Sequence, residues 1–219
     1  MPPSSAPPAS GRAPAPRYDD PRMITGAISD DKAIQAALSD TGVKGLKEVY
    51  DYTFYDSVTL ATATSQRSTL FQAIGTDPQT SNFQGTGYMP SGQAFLITGL
   101  RVAFQIGTTL ADTIALMKGV SLELTLESSK KYCQGLLQQF PAGIGATCES
   151  FSGITTPTAG LSLGNNGIPA LANAYRFKRP VVLHSQQPFQ VVLQSYSPTL
   201  ANTTRMFVYL DGVAVRNVI

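Results

Sequence analysis

From residue 48 onward, hydrophobic and polar positions alternate with a period of two. In EVYDYTFYDSVTL the side chains of Tyr50, Tyr52, Phe54, Val58 and Leu60 share one face, and those of Asp51, Thr53, Ser57 and Thr59 share the other, as in a half-buried strand. GVSLELTLE alternates without a fault, with Val120, Leu122, Leu124 and Leu126 inward and Ser121, Glu123, Thr125 and Glu127 outward. Further strands are predicted at 94–106, 175–183, 188–195 and 204–216, with weaker ones near 69–74 and 131–139, about eight in all. Helix-length patterns are almost absent after residue 45, which removes parallel βαβ folds and leaves an antiparallel sandwich or barrel of the all-β class. Pro180 cannot donate to a ladder, so its strand is expected to be an edge or to carry a bulge. Ser-Gln-Gln-Pro after His184 reads as a tight hairpin loop.

The first part of the chain follows other rules. Residues 1–24 hold seven of the 15 prolines, mixed with Ala, Ser and Arg, and such a mixture buries too little apolar area to offset ordering. A flexible or extended arm with a tethering role is expected there. Residues 25–45 are expected to form a short helix and linker: Ser29 can cap a first turn carrying Asp30 and Asp31, and Ile34, Ala37 and Leu38 would fall on one side of a helix over roughly 30–39. The β domain then runs over 46–219.

The segment 141–174 has one charged residue, Glu149, and six glycines, yet it carries Ile144, Phe151, Ile154, Leu161, Leu163 and Ile168. Exposed together, these six would make a sticky patch, so they are the candidate subunit-interface residues, covered by a neighbouring copy or by a strand within the segment. Residues 57–100 contain only Arg67 and Asp77 as charged groups, and read as uncharged surface loops suited to tight tiling.

Composition and charge narrow the chemistry. Only 14% of residues are charged and the net charge is +2, without the basic excess of a protein that neutralises many phosphates, so no sequence-specific nucleic acid partner is expected. No stretch approaches 18 consecutive apolar residues, since AFLITGLRVAFQI is broken by Arg101 and Gln105. No secretory signal is read at the N-terminus, and Cys133 and Cys148 are expected as a reduced buried pair, with one bond between them as the alternative. A single histidine, His184, cannot build a multi-histidine metal site, and no GxSxG turn marks a serine nucleophile. Glu123 and Glu127, four apart on one strand, stand about 13 Å apart, too far for paired glycosidase carboxylates. The glycines of GIGATC and GLSLGNNG are not followed by Lys-Ser/Thr. No catalytic residue, cofactor or metal is therefore assigned, and the expectation is a non-enzyme.

An all-β domain with a Pro-rich arm, a weakly charged surface and apolar loops suits self-association. In order, VYDYTFYDSVTL, GQAFLITGLRV, SLELTLESSKKY, YRFKRPVVLHSQQPFQVVLQ and FVYLDGVAVRNV resemble the jelly-roll coat proteins of tailless icosahedral phages, the lineage that includes adenovirus-like capsids. The resemblance covers roughly residues 48–219. It implies a single jelly roll of two four-stranded sheets, a major capsid protein gathering into trimeric or hexameric capsomers of a virion, and homo-oligomeric contacts with or without a second coat protein. It also implies an arm that contacts neighbouring subunits or an internal membrane, and synthesis in the host cytoplasm. The alternatives are a minor decoration protein, or a virion spike or lectin-like glycan-binding sandwich with Tyr88, Tyr132, Tyr175 and Tyr196 as candidate platforms.

Overall fold

A computed structural model describes residues 47–105, 107–127, 130–141 and 174–217. The strands are β1 Lys47–Leu60, β2 Ser65–Leu70, β3 Gln93–Phe104, β4 Val120–Leu126, β5 Lys130–Leu136, β6 Tyr175–Leu183, β7 Phe189–Tyr196 and β8 Thr204–Asn217. One sheet has the order β1-β8-β3-β6 and the other β2-β7-β4-β5, with every pairing antiparallel. The chain changes sheet at each step between consecutive strands except from β4 to β5. This double winding is a jelly-roll β-sandwich, the fold class expected from the sequence. The expected arm, the helix over 30–39 and the segment 142–173 lie outside the described residues.

The long alternating strands fall where the pattern places them. The two weak ones are edge strands of the second sheet. β2 ends at Leu70 rather than running over 69–74, and Leu70 is its one buried side chain, so SQRSTL shows no apolar alternation. β5 runs over Lys130–Leu136 and ends in a 3-10 turn, Leu137–Gln139. Pro180 sits on β6, an edge strand of the first sheet, and β6 also bulges: the register passes from Ile97↔Val181 to Gly99↔Arg176. Strand and bulge together remove the need for a Pro180 donor.

Three features depart from the sequence reading. Helix α1, Leu110–Gly119, stands between β3 and β4, where no helix was expected. Thr109 caps it, its Oγ1 accepting from the Asp112 amide at 3.1 Å, and Leu116 anchors it in the core. The turn after His184 is tight, with the Gln187 amide donating to the His184 carbonyl at 3.0 Å, but it is not a hairpin: it carries the chain from β6 in one sheet to β7 in the other. The segment between β2 and β3 is not a set of surface loops either, because Phe71, Phe83 and Met89 in it are almost fully buried.

Phe83 explains why. Its ring packs edge-on against Phe54 of β1 at 5.3 Å and Phe189 of β7 at 5.3 Å, so this one loop residue joins both sheets. The same segment covers the open edge of β1, where Asn82 accepts from the Tyr55 amide at 2.8 Å and donates to the Thr53 carbonyl at 2.8 Å. The edge groups of Thr53 and Tyr55 are thereby occupied instead of left open for pairing.

Cys133 on β5 is a free, half-buried thiol. Burial raises its pKa to about 11; the Glu123 carboxylate adds to the rise, and a hydrogen bond at the Leu124 backbone opposes it. At pH 8 about 0.1% of such a thiol is ionised, against roughly a quarter of a free cysteine. Iodoacetamide labelling of Cys133, followed by peptide mass mapping, is therefore expected to run about two hundredfold slower in the native chain than in urea.

Candidate assembly face

The two sheets turn very different outer surfaces to their surroundings. On the β2-β7-β4-β5 sheet, Val191, Leu193, Leu122 and Leu124 point into the core, while Arg67, Thr69, Gln190, Gln194, Ser121, Glu123 and Thr125 point outward beside a single buried apolar side chain, Val192, a mainly polar pattern. On the β1-β8-β3-β6 sheet the central strands are apolar on both faces. β8 sends Met206, Val208 and Leu210 into the core and turns Phe207, Tyr209, Val213 and Val215 outward. β3 does the same with Phe95, Ile97, Leu100 and Val102 inside and Ala94, Leu96 and Ala103 outside. The bulge between Ile97 and Gly99 lets Ile97 and Leu100 both face the core. Strands buried on two sides read as near-continuous apolar runs, and AFLITGLRVAF and FVYLDGVAV are such runs.

A polar centre divides this outer face. Arg101 on β3 is 8% exposed. Its guanidinium holds the Asp211 carboxylate of β8 through two hydrogen bonds, Nε to Oδ2 at 2.5 Å and Nη2 to Oδ1 at 2.7 Å. Thr53 of β1 donates to Oδ1 at 2.9 Å, so three adjacent strands are tied at one point. The guanidinium carbon also lies 4.9 Å from the centre of the Tyr209 ring. Burial raises the Tyr209 hydroxyl pKa while Arg101 opposes the rise. A fork of donors against a carboxylate fixes strand register as well as charge. On one side of this centre lies the half-buried aromatic row Tyr55, Phe207 and Tyr209, with Phe207 stacked on Tyr209 at 6.3 Å. On the other lies the cluster of Ala94, Leu96, Val213 and Val215.

The six interface candidates read from the sequence, Ile144, Phe151, Ile154, Leu161, Leu163 and Ile168, lie outside the described residues. The four candidate sugar platforms do not converge. Tyr88 bridges to Pro188 at the start of β7, and Tyr196 ends that strand, roughly 26 Å away by strand rise. Tyr132 occupies the extra position of the β4–β5 bulge, and Tyr175 packs edge-on between Phe140 and Phe177. Glu123 and Glu127 each take a lysine partner, Lys131 at 2.9 Å and Lys130 at 2.8 Å, and Glu127 follows β4 in a turn at φ 54° instead of standing on the strand. These bonds lower both carboxylate pKa values and hold the Lys130-Lys131 doublet in ion pairs.

The fold thus defines the class of protein as a jelly-roll β-sandwich with one mainly polar outer face and one whose central strands carry apolar side chains around a polar centre. Compared with protein-family models and with curated proteins, the chain matches none. Among the described residues, no helix is long and apolar enough to cross a membrane.

Proposed function

We propose that the chain is a structural coat subunit, a major capsid protein whose copies assemble through this fold into an icosahedral shell. The observation that carries the reading is the contrast between the two sheets: one outer face carries mainly polar side chains, whereas the other presents an aromatic row beside a buried ion pair. A lone domain that needed water on both sides would keep the polar alternation of β4 on its other sheet as well. Contiguous apolar patches rimmed by polar groups mark protein contacts, and closed symmetry lets one such face serve every copy. The jelly-roll winding and the weakly charged surface support the same reading. Assembly then rests on area and shape, on the order of thousands of Å² per capsomer, with few ion pairs.

The test is light scattering coupled to size-exclusion chromatography on the purified full chain. Masses at closed multiples of 23.3 kDa, rising with concentration, are expected. A species that stays at one chain mass across the soluble range would overturn the proposal.

A further inference from the structure

Asp112, in the first turn of α1, is 2% exposed, and its carboxylate is only half satisfied. Oδ1 accepts from the Ala201 amide at 2.6 Å, whereas Oδ2 is buried without a hydrogen-bond partner among the described residues. A carboxylate oxygen held out of water in this way costs free energy unless a donor or a positive charge meets it. Asp112 stands in the wall of a cavity of about 160 Å³, between the loop that leads from β3 into α1 and the loop that leads from β7 into β8. Gln105, Thr108, Asn202, Thr203 and Thr204 line it as well. We propose that this cavity is a calcium site, with Asp112 as its charged ligand.

The donor set selects the ligand. Thr108 and Thr204 are buried, and each hydroxyl gives its hydrogen to a backbone carbonyl, Thr108 to Gln105 at 2.7 Å and Thr204 to Asn202 at 3.2 Å. Only lone pairs are left on these two hydroxyls, so neither can donate to Asp112 Oδ2. The buried side chains of the lining are therefore all acceptors. Gln105, Asn202 and Thr203 are exposed and add side-chain oxygens at the rim. Among the described residues that line the cavity, no lysine or arginine offsets the charge of Asp112. No cluster of three His, Cys, Asp or Glu side chains stands among the described residues, so the site depends on neutral oxygens around one carboxylate. Calcium accepts such a set, since it takes about six to eight oxygens in flexible geometry and keeps waters among them. Magnesium demands a near-ideal octahedron, and metals that prefer imidazole or thiolate find no ligand here. Bound calcium would tie the entry of α1 to the start of β8.

Equilibrium dialysis of the EDTA-stripped full chain against radioactive calcium, in potassium chloride at near-physiological ionic strength, tests this. One calcium per chain is expected, with Kd on the order of 10⁻⁴–10⁻³ M for so low a ligand charge and little competition from magnesium. Asp112→Asn keeps the acceptor for the Ala201 amide and replaces the unpartnered oxygen by a donor, so binding should weaken by at least about tenfold while the melting temperature without calcium rises. Asn202→Asp, on the exposed rim, adds a second carboxylate and should tighten binding by about tenfold. If Asp112→Asn loses the native circular dichroism, Asn202→Asp decides alone. No saturable binding, as for a cavity that holds water only, would overturn the site, and so would binding that the variants leave unchanged or equal displacement by magnesium.

Discussion

Replacing Asp211 by alanine is expected to destabilise the chain by about 3 kcal/mol, because a guanidinium held almost out of water loses this carboxylate while staying in place. The value sits at the low end for a broken buried pair because the Asp211 side chain keeps 27% exposure, against 9% for Arg101. The Thr53 hydroxyl loses its acceptor in the same step, so β1 loosens from β8 as well. The double variant Arg101→Met, Asp211→Leu should recover most of the loss, since it removes both charges together and leaves the replacement at 101 beside the Tyr209 ring. Urea unfolding of the two variants and the parent decides this. Equal stability of the parent and Asp211→Ala would mean that the ion pair does not tie the sheet.

The second large effect is expected at Gly212. It lies on β8 between Tyr52 of β1 and Ile97 of β3, next to the β3 bulge. A methyl group there would stand 1.9 Å from the Leu96 carbonyl oxygen, a backbone atom that cannot swing aside. Gly212→Ala must force β8 and β3 apart along their shared ladder, and a loss of at least about 4 kcal/mol, or no folded protein, is expected. Gly107→Ala is the control. Gly107 has φ +95° and nothing within 4 Å of an added Cβ, so that change isolates backbone strain, about 1–2 kcal/mol. Thermal unfolding should separate the two variants widely, and a Gly212→Ala protein as stable as the control would contradict the close approach at the bulge.

Much of the sandwich was legible because its central strands carry the strongest pattern. β4 alternates cleanly, since one face meets the core and the other water. β2 escaped accurate placement because an edge strand with Leu70 alone buried has little apolar signal to give. Helix α1 was missed although Thr109 and Asp112 stand three apart, a spacing typical of a helix start; the segment after Thr109, Leu-Ala-Asp-Thr-Ile, lacks a clear apolar stripe because Asp112 and Thr113 are themselves buried. The segment holding Phe83 looked like surface because it is uncharged and rich in turn residues, and only tertiary packing shows one aromatic ring plugging the end of the sandwich.

The candidate face was half legible. Its polar side, Asp51, Thr53 and Ser57 on β1, was read correctly as the strand's outward set. Its apolar side was present in AFLITGLRV and FVYLDGVAV, whose continuous apolar character signals burial on both faces. The pairing of Arg101 with Asp211 could not be read, because the two residues are 110 positions apart and meet only through the β3–β8 register. The sequence pattern pointed instead to the apolar residues of 141–174 as the contact surface.

Cryo-electron microscopy of the assembled full chain bears most directly on whether this molecule is completed by copies of itself. Closed particles are expected, with Tyr55, Phe207 and Tyr209 buried at subunit contacts and the Gln190–Gln194 side of the sandwich left in water. Dispersed single chains, or particles joined through the polar sheet while the aromatic row stays open to solvent, would contradict it.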